Sequence, residues 1–297
     1  MVNTKIRKAV IPVAGRGTRM LPFTKAVPKE MLPVGSKPLL QYAIEEAAAS
    51  GIREIVLVIT PNEKIIQEYF QRDLALERIL EQRGRQEDAQ QLRALSCSAD
   101  IRYVCQDRQL GLGHAIGCAR DLVGEEPFAV ILPDALIFGS SPCLRQLIEA
   151  RRETPGCYVA TREVPVEDLG RFGILDVTSR GSEPGRIPYR VKGLIEKPNA
   201  ITAPSRFGIF GRYLFEPRIF EHIEKTAPDA SGEIQITSAI ATYCSEAPVY
   251  ALPFAGVHFD AGSRLGLVEA SVASALSDPA LAEHLREFLC AALSTHI

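Results

Sequence analysis

The chain is predicted to fold as a single α/β domain, Rossmann-like, with a mixed but mainly parallel central sheet flanked by helices. Three observations predict it. The short apolar runs Lys8–Ala14, Ile55–Thr60 and Phe128–Leu132 read as strands buried on both faces, which is the pattern of a parallel sheet. Runs of helical period alternate with them, as in βαβ units with right-handed crossovers. No internal repeat, low-complexity tract or composition break marks a linker in the 297 residues, a length that one large α/β domain can fill.

Taken in order, Lys8–Ala14 is the first strand and runs into a glycine loop. Lys37–Gly51 reads as a helix, with Leu39, Leu40, Ala43, Ile44 and Ala47 on one face and a glycine as its stop. Ile55–Thr60 is the second strand. Ile65–Arg93 is long, amphipathic and rich in Glu, Gln and Arg, so one or two surface helices are expected there. Ile101–Cys105 is a third strand, His114–Leu122 a helix, and Phe128–Leu132 a fourth strand that ends at Pro133-Asp134. The pattern then turns mixed, with strands expected near Tyr158–Thr161, Gly173–Val177, Val191–Ile195 and Phe207–Tyr213, and helices at Pro217–Lys225 and Glu233–Cys244. A β segment near Val249–Phe254 leads to Phe259-Asp260 and two C-terminal helices, Ser263–Ala275 and Pro279–Leu293.

Composition excludes several classes of function. With 34 basic and 36 acidic residues, 46% hydrophobic and 24% charged, the chain has the balance of an ordinary globular protein. No apolar run approaches the ~18 residues that would span a bilayer, so no membrane segment is expected; nor is a targeting segment. The seven cysteines are odd in number, form no C-x-x-C pair and mostly have apolar neighbours. Buried, reduced thiols in a cytoplasmic protein are expected, rather than a disulfide framework or a zinc site.

Charge is unevenly distributed. Residues 1–40 hold eight basic side chains and one acid, Glu30, a local net charge of +7 that leaves −9 for the rest. A basic arm for nucleic acid or a transit peptide would share this bias. The segment is instead interleaved with prolines and glycines and contains a buried-strand pattern, so it is built to fold around a small polyanion.

The run from Val13 to Pro33 is the sharpest feature. A strand that ends in Gly15-x-Gly17 lets backbone N–H groups nest against phosphate oxygens, and Arg19, Lys25 and Lys29 add full charges. A plain structural turn is the alternative. Neither common glycine motif fits: Met20 stands where a dinucleotide fingerprint needs its third glycine, and a Walker loop requires Gly-Lys-Ser/Thr where Thr18-Arg19-Met20 follows. Asp134 closes a buried strand at the carboxyl edge, where it could cap a helix or bind magnesium. Asp260, between an apolar strand and Gly262, is a second candidate.

The segment Ala14-Gly15-x-Gly17-Thr18-Arg19-Met20-Leu21-Pro22-x-Thr24-Lys25-Ala26-x-Pro28-Lys29-Glu30-Met31-Leu32-Pro33 resembles the signature of the sugar-phosphate nucleotidylyltransferases, in particular the bacterial UTP:glucose-1-phosphate uridylyltransferase (UDP-glucose pyrophosphorylase) group. The likeness recurs at Leu110-Gly-Leu-Gly-His-Ala115, Leu132-Pro-Asp134, Ile195-Glu-Lys-Pro198, Gly211-Arg-Tyr213, Glu233-Ile-Gln-Ile-Thr237 and Phe259-Asp-Ala-Gly262, in the family's order. It implies the nucleotide-diphospho-sugar transferase fold, with a nucleotide-binding half (1–135), a sugar-phosphate-binding half (136–262) and C-terminal helices (263–297). The implied reaction joins UTP and glucose 1-phosphate, giving UDP-glucose and pyrophosphate. An oxygen of the sugar phosphate, already ionised, attacks the α-phosphorus in line, so no side-chain nucleophile is needed.

Site residues follow from the same resemblance. Arg19, Lys29 and Lys197 would be catalytic, offsetting phosphate charge. Ala14, Gly15, Gly17, Thr18, Lys25, Glu30, Gln106 and Gly111 would bind the nucleotide, the base falling to Ala14, Gly15, Glu30, Gln106 and Gly111. Gly173 and Glu196 would bind the sugar, and Asp134 and Asp260 would hold Mg2+. Blander readings stand beside these: Glu196-Lys197 as a solvated strand end, His114 as a helix-start residue without a catalytic role, Thr237 as helix surface. The chain departs from the family's Gly-Asp-Glu-Ile-Gln-Leu-Thr-Asp at Gly232 and Ser238, losing two carboxylates, and has Ser263-Arg264 where Asn-Lys is usual. A non-catalytic regulatory homologue, or the same reaction on dTTP or galactose 1-phosphate, are the alternatives. Neither nucleic acid nor membrane is an expected partner; a homo-oligomer, dimer or tetramer, is.

Overall fold

The first strand, β1 (Lys8–Pro12), is apolar in its interior because both of its faces are covered: Ala9, Val10 and Ile11 have no exposed surface. The computed structural model describes residues 5–61, 63–178 and 188–294. After β1 come three 3-10 turns within residues 18–31, then β2 (Pro33–Val34), β3 (Lys37–Pro38), α1 (Leu39–Ala49), β4 (Glu54–Ile59), α2 (Ile65–Phe70), α3 (Leu74–Gln82), α4 (Gln86–Ser96) and β5 (Asp100–Cys105). The chain continues through α5 (Leu112–Cys118), α6 (Arg120–Val123), β6 (Phe128–Ile131), β7 (Ala135–Phe138), α7 (Cys143–Glu153), β8 (Cys157–Glu163), β9 (Gly173–Thr178), β10 (Tyr189–Glu196) and β11 (Phe207–Phe215). It ends with α8 (Ile219–Lys225), α9 (Ile236–Tyr243), β12 (Val249–Pro253), β13 (Val257–Asp260), α10 (Arg264–Ser277) and α11 (Ala282–Ser294).

Nine strands form one sheet in the order β5-β4-β1-β6-β11-β8-β12-β10-β9. The first four are mutually parallel, and β10 and β11 run against the rest, so the sheet is mixed as predicted, with its parallel pairings concentrated in the first half and antiparallel ones in the second. From β1 the chain moves outward to β4 and β5, then returns to β6 on the other side of β1. That reversal makes a crevice beyond the carboxyl ends of β1 and β6, the place where open α/β sheets bind ligands.

The period of two along each strand separates two cores. Ala9 and Ile11 face Leu40 and Ile44 of α1 and Leu144 and Leu147 of α7. Val10, Val56 and Val130 face Ile116 of α5, Phe220 of α8 and Ile240 of α9. A smaller third cluster joins Met20, Val34 and Leu39 to Leu136 and to Ala270 of α10, fastening α10 beside the glycine loop.

Several expectations need correction. The region 65–93 forms neither one nor two helices but α2, α3 and the start of α4: Asp73 caps α3 by accepting from the Ala75 and Leu76 amides, and Gly84, at φ 74°, follows its end. The helix foreseen at 114–122 is divided at Ala119 into α5 and α6. The helix expected from Glu233 begins at Ile236. β7 and α7 were not anticipated, because residues 135–153 lack a long apolar run. The cysteines are all free, but Cys97, Cys105 and Cys290 are exposed; only Cys143, Cys157 and Cys244 are buried.

Candidate active site

The crevice between β1 and β6 is a cavity of about 830 Å³. The glycine loop lines one side with Ala14, Gly15, Arg16, Gly17, Thr18 and Arg19, and Lys29 and Glu30 form its floor. Gln106 and Gly111, after β5, make a second wall, and Pro133-Asp134, after β6, a third. Gly17 occupies the left-handed region at φ 60°, where a side chain would be strained and would press on Lys29 Cβ and Thr24 Cγ2 at 3.1 Å. The Thr24 hydroxyl donates to the Gly17 carbonyl at 2.8 Å and fixes that turn.

Charge is concentrated where this floor meets Asp134. Lys29 Nζ lies 2.6 Å from Asp134 Oδ2 and 3.8 Å from Glu30 Oε1. Burial works against the Lys29 ammonium, but the Asp134 and Glu30 carboxylates outweigh it and hold its pKa above that of a free lysine. Burial likewise opposes ionisation of Asp134, yet Lys29 and Arg19 keep its carboxyl below the usual range. Glu30 has the opposite balance. Only 1% exposed, it is pushed up to about 8 by burial, which Lys29 only partly offsets, and its Oε2 has no hydrogen-bond partner among the described residues. A buried carboxyl oxygen without a hydrogen-bond partner in a cavity wall is suited to a polar group of a bound molecule.

The second aspartate joins the first through Gly262. A Cβ on this glycine would meet Arg19 Nη2 at 2.8 Å, Asp134 Oδ2 at 2.9 Å and Asp260 Oδ1 at 3.2 Å, so the three charged groups converge on one small cradle. Asp260 is paired with Arg171 at 2.9 Å and Arg19 at 3.6 Å. No group of three or more His, Cys, Asp or Glu residues with metal-binding geometry occurs among the described residues. Two carboxylates alone suit Mg2+, which commonly takes one or two protein carboxylates and fills its other positions with phosphate and water.

Next to this centre, β9 and β10 bring Gly173 opposite Glu196, whose Oε2 would lie 3.3 Å from a Cβ at Gly173. Lys197 follows at φ 43°, the single non-glycine residue with positive φ among the described residues, held there by its N–H donating to the Phe172 carbonyl at 3.1 Å. Such backbone strain at a strand end is the kind that functional sites retain. Tyr213 lies beneath: burial, with lesser contributions from Glu196 and Asp134, pushes its phenol up.

The structure gathers most of the sequence-predicted residues around three places. Ala14, Gly15, Gly17, Thr18, Arg19, Lys29, Glu30, Gln106, Gly111 and Asp134 line the cavity; Gly173, Glu196 and Lys197 form an adjacent cluster, and Asp260 sits at the Gly262 cradle. Lys25 does not line the cavity: its 3-10 turn, Phe23–Lys25, leaves its side chain exposed. Thr237 is not helix surface but buried against Gly173, its Cγ2 2.7 Å from where a Cβ would stand. Ser238 is exposed on α9 and does not line the cavity. Gly232, at φ 82°, belongs to the wall Ser231–Glu233, a loop organised by Asp229, whose Oδ1 accepts from both the Ser231 and Glu233 amides. Arg171 and Gln109 were missed; their roles come from tertiary approach, and no local pattern signals them.

A cationic glycine loop facing a carboxylate pair at a sheet switch point places the chain among α/β proteins that bind phosphate esters. Residues 8–275 match the nucleotidyl transferase family, and the chain belongs to it. It is 42% identical over 286 residues to a UTP–glucose-1-phosphate uridylyltransferase of Bacillus subtilis (strain 168), a match covering 96% of each chain. A Staphylococcus epidermidis protein of the same description is 41% identical, over 96% of this chain and 98% of its own. Among solved structures, the UTP-bound UGPase from Acinetobacter baumannii superposes with a TM-score of 0.88 at 34% identity, covering 96% of this chain and 99% of that one. A UDP-glucose pyrophosphorylase complexed with UDP-glucose superposes with a TM-score of 0.82 at 37% identity, over 92% and 100%.

Proposed function

We propose that this chain transfers the uridylyl group of UTP to glucose 1-phosphate, forming UDP-glucose and releasing pyrophosphate. The observation that carries the reading is the meeting of a phosphate-type loop and a carboxylate at the switch point, with Lys29 Nζ 2.6 Å from Asp134 Oδ2. The relatives just named supply the substrates.

The residues then take the following roles. Backbone N–H groups of Gly15 to Thr18 and the charges of Arg19 and Lys29 receive the triphosphate, with Lys25 an outer charge. Ala14, Gly15, Glu30, Gln106 and Gly111 surround the base. Gly173 lets the sugar approach the backbone, Glu196 accepts from its hydroxyls, and Lys197 meets its phosphate. Asp134 and Asp260 would hold Mg2+, which when bound neutralises phosphate charge during transfer. The attacking oxygen is already ionised, so the chain's work is to bring two anions together and fix their geometry. Residues 1–135 serve the nucleotide, 136–262 the sugar phosphate, and the last helices support assembly. Leu265, Val268 and Phe288 expose apolar surface on α10 and α11, as a homo-oligomer would require. No helix among the described residues is long and apolar enough to cross a membrane, and its exposed free thiols suit a reducing cytoplasm.

The test is pyrophosphate release from a panel of nucleoside triphosphates with glucose, galactose and mannose 1-phosphates. UTP with glucose 1-phosphate is expected to give the highest kcat/KM. A different preferred base or sugar would replace the assigned specificity, and no release with any pair would leave a nucleotide-sugar-binding homologue.

A further inference from the structure

Three cations line the cavity, and two of them already have carboxylates: Lys29 has Asp134, and Arg19 has Asp260. Arg16 has none. It stands between the two glycines of the loop, exposed at the cavity mouth, and its hydrogen bond is to a neutral group: Nε donates to Gln109 Oε1 at 2.5 Å. Gln109 in turn donates through Nε2 to the Ala14 carbonyl at 2.8 Å. The amide of Gln109, 93 residues from Arg16 in sequence, thus ties the guanidinium to the end of β1, fixing the side chain by Nε while both terminal amino groups stay without a partner among the described residues. An Arg held this way keeps its charge and its two-pronged donor face for a phosphate.

We infer that Arg16, positioned by Gln109, binds the β- and γ-phosphates of the incoming triphosphate and hence the pyrophosphate that leaves. The inference rests on the uridylyl-transfer reading above and adds a residue to it. The choice of the leaving group over the rest of the nucleotide follows from charge. The α-phosphate approaches the sugar phosphate near Asp134, where Lys29 and Arg19 already offset it, whereas the two outer phosphates carry most of the negative charge and have no other uncommitted cation in the cavity wall. Gln109 is accordingly a positioning residue, not a contact.

Separating the leaving group from the nucleotide body gives the test. Arg16→Leu is expected to raise KM for UTP in the forward direction and KM for pyrophosphate in the reverse direction about 10-fold each. Binding of UDP-glucose, which lacks those phosphates, is expected to stay within 2-fold by calorimetry. Arg16→Lys keeps the charge without the fork and should fall between. Gln109→Leu keeps Arg16 but removes its anchor, and should raise KM for pyrophosphate about 3-fold with kcat little changed. An Arg16→Leu variant whose pyrophosphate KM is unaltered overturns the inference, as does one that loses UDP-glucose affinity in equal measure, since Arg16 would then serve the base or ribose. A wild-type protein that binds UDP-glucose but turns over neither direction would instead sink the reading on which the inference rests.

Discussion

Lys29 Nζ and Asp134 Oδ2 lie 2.6 Å apart although 105 residues separate them in sequence. The glycine loop after β1 and the strand end after β6 are thus joined by one ion pair, and the charge balance of the crevice depends on it. Replacing Asp134 by Asn keeps the shape and removes one full charge from the cradle at Gly262. Turnover is expected to fall by roughly 100-fold or more, the scale seen when a preorganised charge group is lost. Lys197→Ala should have a similar effect. The fold should persist, with the melting temperature of Asp134→Asn moving by no more than about 4 °C, since 1 kcal/mol corresponds to roughly that shift in a chain of this size. Pyrophosphate release and thermal melting measured together check both halves; near-normal turnover would remove Asp134 from its assigned role.

Glu30 predicts a pH dependence of stability. Burial pushes its carboxyl up to about 8, against an ordinary value of 4.5. Between these values the folded chain carries a proton on Glu30 that the unfolded chain has lost. Stability from this group is therefore full below about pH 4.5 and declines as pH rises toward 8, by about 1.4 kcal/mol per pH unit for one proton. Glu30→Gln keeps the volume and removes the titration. Urea denaturation at several pH values from 5.5 to 8.5 should show wild type losing stability relative to Glu30→Gln as pH rises. Parallel curves would contradict the assignment.

How far this site was legible depends on the range of the interactions that form it. Gly15, Gly17, Arg19, Lys29 and Asp134 announce themselves locally, because a glycine loop and a strand-end carboxylate are chemical features of consecutive residues. The parallel strands were legible for the same reason, being short runs with apolar side chains on both faces. Thr237 was not: its burial is decided by the approach of α9 to Gly173, which no helical period reveals. Gln109 and Arg171 were missed likewise, since each acts on a partner 89 or more residues away. The breaks in the region 65–93 depended on Asp73 and Gly84, cap signals inside a run whose overall composition favours helix.

A second prediction about stability concerns Arg212 and Glu46. Arg212 on β11 is 1% exposed and reaches Glu46 Oε2 on α1 at 2.8 Å, while Nη1 donates to the Leu132 and Gly211 carbonyls at 3.1 Å. Glu46 also accepts from the Leu144 amide at 2.9 Å. Removing one partner strands a buried charge. Arg212→Met alone should cost about 3–5 kcal/mol in urea denaturation, and adding Glu46→Leu should recover part of it, because a buried pair is often replaceable by apolar side chains while a lone charge is not. Because Leu132 lies two residues before Asp134, the single variant should also lose turnover; a destabilisation below about 1 kcal/mol would show that the pair is not desolvated as the geometry requires.

The contact between Gly173 and Thr237 separates sugar binding from nucleotide binding. A methyl group at position 173 would stand 2.7 Å from Thr237 Cγ2 and 3.3 Å from Glu196 Oε2, and the first of these distances is too short to persist. Thr237 is itself buried, so the packing around it leaves little room for its methyl to swing aside. Overpacking of this kind typically costs about 1–3 kcal/mol, here spent in displacing Glu196 or α9. Gly173→Ala is therefore expected to raise KM for glucose 1-phosphate by about 10-fold or more, a factor of ten being roughly 1.4 kcal/mol, with KM for UTP little changed because the cavity walls at Gly15, Gln106 and Gly111 are not involved. Thr237→Ser deletes the clashing methyl and keeps the hydroxyl. The double variant Gly173→Ala with Thr237→Ser should regain much of the lost affinity for the sugar phosphate, whereas a direct need for an open backbone at Gly173 would leave it as impaired as the single one. Initial-rate measurements with each substrate varied in turn distinguish these outcomes, and an equal rise in both KM values would show that the two clusters are not separate subsites.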